Sequence, residues 1–99
     1  MLIIAGTISI DPDQLDDAMA LALPFCELVR AEPGCVDYLF TPNPAVPGEL
    51  RLFEIWEDEA SLAEHFTTPH MADWQQAIAQ MTITGREITK YEIAASAPL

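Results

Sequence analysis

His65 and His70 are the only two imidazoles in the chain, and both fall in one stretch, EIWEDEASLAEHFTTPH (Glu54 to His70), which carries Trp56 and shortly precedes Trp74. Imidazole changes charge near neutral pH, so acid–base chemistry would be found here first, with packing and capping as the alternative. A metal is the first chemistry to test. Five residues on one helix turn through about 140°, so the two rings would not share a face, and Pro69 breaks any helix between them. No cysteine or carboxylate stands at a spacing that completes a zinc site with them, so no metal is expected. Cys26 and Cys35 make no CxxC pair, and the chain has neither a serine elbow nor a glycine-rich phosphate loop. Any chemistry would thus proceed without metal, nucleotide or covalent intermediate. Tyr38 and Trp56 fall on neighbouring predicted strands, where they either stack an aromatic ligand or fill the core. Trp74 is core or the wall of a cleft. Arg51 and Arg86 are two of only four basic residues, able to draw a phenolate or simply to pair with surface acids.

Such residues need a scaffold, and 99 residues supply one domain. A chain of this size supports one core, although a large internal cavity would strain it. Its composition is 51% apolar, which excludes a disordered linker. Sixteen acids against four bases leave a net charge of −12, which repels phosphate backbones and anionic membranes alike. The N-terminus MLIIAGTISI lacks the basic flank and cleavage site of a signal peptide, so the expected location is the cytoplasm. In that compartment the two cysteines stay reduced, and Cys26 falls on an apolar helix stripe as a small buried hydrophobe.

The alternation of Leu2, Ile4, Ile8 and Ile10 predicts a first strand. Asp11-Pro12-Asp13-Gln14 starts a helix, with Asp11 as cap, Pro12 in its first turn and Gln14 placed to reach back. That helix runs to about Ala31, with a kink or break expected at Pro24. Glu32-Pro33-Gly34 ends it. Strands follow over 35–41 and 49–57, joined by a proline-rich loop, and the second alternates Leu50, Leu52, Glu54 and Trp56 against Arg51, Phe53 and Ile55. Asp58 caps a short helix to about Phe66. Thr68 caps another that starts at Pro69 and carries Trp74, Ile78 and Met81 as its stripe. A last strand covers 82–93, bulged near Gly85. The order β-α-β-β-α-β predicts a ferredoxin-like α+β fold, a four-stranded antiparallel sheet with helices on one face. Residues 1–95 form this single domain and 96–99 an irregular tail. Because the strands are apolar on both parities, the bare sheet face calls for a second copy, and a homodimer is expected.

Two segments, EPGCVDYLF (Glu32 to Phe40) and LFEIWEDEASLAEHFTTPHM (Leu52 to Met71), resemble the antibiotic biosynthesis monooxygenase family. The similarity extends from the opening strand to Ile93. It implies a dimeric α+β barrel and a family that includes quinol monooxygenases, anthrone oxygenases and haem-degrading enzymes. The haem-degrading branch uses a first-strand Asn, a pocket Trp and an iron-ligating His. Here those places hold Gly6 and Thr7, His65, and Asp73-Trp74-Gln75, so haem is not expected. The resemblance implies oxidation of a small aromatic quinol- or anthrone-like substrate with molecular oxygen and no cofactor. It points His65 toward the cleft between helices and sheet as the catalytic base. Tyr38, Trp56, His70 and Trp74 are the candidate substrate-binding residues. The competing expectation is a dimer of the same fold that binds a small molecule, or serves as a stress-response accessory protein, without turnover.

Overall fold

The computed structural model describes residues 1–99. Strand β1 spans Leu2–Ile10, and its even-numbered Leu2, Ile4, Ile8 and Ile10 are buried together, as two-residue periodicity requires. The Asp11 carboxylate accepts from the Asp13 backbone N–H, capping a 3-10 turn at Pro12–Gln14 that leads into helix α1, Leu15–Arg30. Gln14 does not reach back. Its side-chain oxygen accepts from the Thr82 N–H at 2.8 Å, tying the start of α1 to the entry of the last strand. Nor does Pro24 break the helix, which continues from Leu15 to Arg30. Pro24 and Ala20, whose carbonyl loses its partner, are both exposed, so water can satisfy that carbonyl. The opposite side of α1, with Ala18, Ala22, Phe25, Cys26 and Val29, is buried.

After α1 the chain turns at Gly34, whose φ of 81° belongs to the left-handed region that favours glycine. A Cβ there would also collide with the Ser61 hydroxyl. Strands β2 (Cys35–Pro42) and β3 (Glu49–Trp56) follow, then helices α2 (Glu59–His65) and α3 (Pro69–Ile78), and finally β4 (Ile83–Glu92). Asp58 and Thr68 cap α2 and α3, accepting from the N–H groups of Ser61 and Met71. Met81 lies beyond the end of α3 but still packs against the core.

The sheet order is β2-β3-β1-β4, antiparallel throughout. Between β1 and β4 the register slips where Ser9 faces Gly85 and Ile10 faces Ile83, placing a bulge at Thr84 as the broken parity around Gly85 foretold. All three helices lie on one face. They pack closely on β2, only lightly on β3, and leave β4 nearly bare, so Arg86, Ile88 and Lys90 line a hollow rather than a sealed core. On the other face the register aligns Ile3, Ala5, Leu39, Phe53, Ile55 and Tyr91, with Phe53 37% and Tyr91 50% exposed. No helix is long and apolar enough to cross a membrane.

Candidate active site

His65 is the last residue of α2 and one of the most enclosed side chains in the molecule, 1% exposed. Its ring tilts against Trp56 at a centroid distance of 4.9 Å and against Tyr38 at 5.5 Å. Nδ1 lies 2.9 Å from Oε2 of Glu32. A carboxylate accepts, so the neutral ring carries its proton on Nδ1 and presents a lone pair at Nε2. Every side-chain nitrogen or oxygen sealed from solvent has a hydrogen-bond partner. Nε2 has no partner within the protein, and His65 borders the main cavity.

That cavity, about 480 Å³, lies between the inner sheet face and the helices α2 and α3, open on the β4 side. The core is therefore hollowed from its edge. Its walls are mostly apolar, with Ile4, Ile8, Phe40, Leu52, Met71 and Trp74 among them. Trp74 stacks flat on Phe25, centroids 4.9 Å apart and planes at 5°, which fixes the indole as a rigid wall. The polar groups are few and convergent: Tyr38, Glu54, His65, Arg86 and the Lys90–Glu59 pair, the last joined at 2.8 Å on the rim. Tyr38 lines the cavity, and its hydroxyl has no partner in the protein. Burial holds it protonated, far above the usual phenol range. Arg86 also lines the cavity, and no carboxylate pairs with it.

Glu54 is the residue the sequence reading did not single out. It is 5% exposed, shares the inner face of β3 with Leu50, Leu52 and Trp56, and accepts the Trp56 indole N–H at 2.8 Å. Burial pushes its carboxyl up to about 7, the indole N–H pulls it partly back, and the Glu32 charge adds a smaller upward push. The signal was present: an acid in phase with three apolar residues is either paired or functional.

Not all expected residues reach the cavity. Trp56 is wholly buried and does not line it; its indole tilts against His65 and donates to Glu54. Trp56 thus stands behind His65 and Glu54, outside the cavity lining. His70 also lies away from the cavity. It borders a separate hollow of about 180 Å³ between α1 and α3, and its Nε2 lies 2.7 Å from the same Glu32 oxygen that faces His65. Tyr38, His65 and Trp74 all line the cavity. Both thiols are poor nucleophiles: burial raises Cys26, and raises Cys35 to about 11.

Glu32, His65 and His70 together revise the reading of the histidine pair. The two rings sit on different helices yet converge on one carboxylate, so their five-residue spacing says nothing of their separation. The missing carboxylate comes from the turn after α1, more than thirty residues upstream. The three donor atoms lie within 4.8 Å of one another. Those residue types could hold a divalent cation; at 2.7 and 2.9 Å the contacts are hydrogen bonds.

An α+β domain of this topology, hollowed beside an enclosed histidine, is a recognisable class, and the sequence comparison narrows it. The profile of the family described as antibiotic biosynthesis monooxygenase matches residues 1–77. The chain belongs to that family. A curated relative, an uncharacterised protein from Synechocystis, is 32% identical over 93 residues; the match takes in 94% of this chain but spans only 63% of the relative. Among solved structures, a protein from Mycobacterium tuberculosis is similar at 26% identity and a TM-score of 0.83, over 98% of this chain and 97% of its own. A candidate antibiotic biosynthesis monooxygenase from Deinococcus radiodurans superposes with a TM-score of 0.89 at 24% identity, covering 100% and 98% of the two chains. At that identity the likeness is one of fold.

Proposed function

We propose that the protein is a monooxygenase that oxidises a small, electron-rich aromatic compound of the quinol or anthrone type with molecular oxygen, without a cofactor. The observation that carries this reading is His65, a nearly enclosed imidazole that lines a largely apolar cavity of about 480 Å³. That volume lies toward the lower end of the range of about 300–1,000 Å³ for small-molecule sites, suited to a compact fused-ring compound. Nε2 takes a proton from the activated C–H or O–H of the substrate, while Glu32 fixes the tautomer and steadies the imidazolium that forms. The resulting anion is electron-rich enough to reduce oxygen. For an anthrone-type CH₂, oxygen adds at that carbon as a hydroperoxide and water is lost, so one oxygen atom enters the product as a ketone and the other leaves as water. The Tyr38 hydroxyl, Arg86 and protonated Glu54 are placed to hold the substrate oxygen as negative charge builds on it.

A second copy of the chain is the proposed partner, docked on the apolar outer face of the sheet around Phe53 and Ile55. Ligand binding without turnover is the competing reading. A wholly apolar cavity would favour it, and this cavity is lined by an imidazole, a carboxyl, a phenol and an arginine. The test is oxygen uptake with a panel of quinols and anthrones. Wild type is expected to consume oxygen, and His65→Ala to lose about 10²–10⁴ in rate. Uptake undiminished in the variant would remove the role given to His65, and none from wild type would leave binding as the function.

A further inference from the structure

We propose that Glu32, His65 and His70 form a binding site for a divalent transition cation of the zinc class, placed behind the cavity and able to disable its base. Two imidazole nitrogens and one carboxylate oxygen are a donor set such ions favour. Here they come from three separate places, the turn after α1, the end of α2 and the first turn of α3, and are held within 4.8 Å of one another.

A four-coordinate ion with bonds of about 2.0–2.1 Å keeps its ligand atoms about 3.3 Å apart. The Glu32 oxygen, now 2.9 and 2.7 Å from the two nitrogens, would have to draw back slightly to admit the ion. His70, with 21% of its side chain exposed, has room to make that adjustment.

The approach is also provided. Glu32 borders a third hollow, about 310 Å³, whose other walls include Asp58 and Glu64. Three carboxylates around one entrance, on a chain of net charge −12, concentrate cations there. Water in that hollow would complete the coordination.

Occupancy has a consequence for the cavity. Coordination through Nδ1 moves the proton of a neutral His65 to Nε2, so the ring shows the cavity an N–H in place of a lone pair. Ion binding and base action by His65 then exclude each other. The site itself does not depend on what enters the cavity.

Titration of the full-length protein with Co²⁺ and Zn²⁺, by calorimetry and by the visible absorption of four-coordinate cobalt, tests this. One ion per chain is expected, with affinity lowered by at least about tenfold in both His70→Ala and Glu32→Gln. His70→Ala alters a partly exposed side chain outside the cavity and serves as the conservative arm. Absence of a stoichiometric ion, or uptake that either variant leaves unchanged, overturns the site, and the second result assigns the ions to surface acids.

Discussion

At the scale of single residues, Glu54 and His65 are buried polar groups lining the cavity, and each is held by one neighbour. Glu32 fixes the tautomer of His65, and the Trp56 indole holds Glu54 in place. The buried carboxyl of Glu54 makes a prediction about stability. Its ordinary value is 4.5 and its folded value about 7, so between those limits the unfolded chain ionises it while the folded chain keeps it protonated. The native state then holds more protons, and stability must fall as pH rises through that window. Full below pH 4.5, this contribution is spent above about pH 7. Glu54→Gln keeps an oxygen for the Trp56 N–H and removes the titration. The variant should gain on wild type by up to about 3 kcal/mol between pH 4.5 and 8, read from urea unfolding at both values. A difference independent of pH would show that the carboxyl is not held protonated.

At the scale of elements, the site depends on a break and on a continuity. The break is Thr67-Thr68-Pro69, which separates α2 from α3 and lets two histidines five residues apart approach Glu32 from different helices. Thr68 serves both sides of it: its hydroxyl donates to the His65 carbonyl and accepts the Met71 N–H. The continuity is α1, which runs through Pro24 because the lost hydrogen bond falls on the exposed side. Pro24→Ala restores that bond. Proline costs about 3 kcal/mol in a helix interior and returns up to about 1 by stiffening the unfolded chain, so the variant should be more stable by about 2 kcal/mol. Thermal unfolding followed by circular dichroism measures this, and an unchanged or lowered Tm would mean that Pro24 is already accommodated without loss.

At the scale of the whole molecule, helices on one side leave the other side of the sheet apolar and open, which is the basis for the proposed pairing of two copies. Each copy carries a charge of −12, so association must overcome mutual repulsion that salt screens. Sedimentation should find a dimer that tightens as ionic strength rises, and Phe53→Glu should shift it to monomer without loss of helicity. A wild-type chain that stays monomeric at every concentration and salt level would rule out the proposed partner.

Strand parity, cap residues and element order are local properties, and they sufficed for the antiparallel sheet, the bulge by Gly85, the helices capped by Asp58 and Thr68, and the buried state of Cys26. Each depends on the period of a strand or helix, or on a hydrogen bond spanning two or three residues, so a short window of sequence contains its cause. Glu54 was also legible as an acid in the apolar phase of its strand, although the pattern alone did not say that it faced a cavity. Glu32 was not legible. Its position after α1 marks the end of a helix, and only packing α1 against α3 brings it between two imidazoles from α2 and α3. Tertiary packing likewise decided that Trp56 lies outside the cavity lining, that His70 reaches Glu32 from α3, and that β4 is left nearly uncovered. Which side chains share a space is decided by how the elements pack, and spacing along the chain carries no record of that.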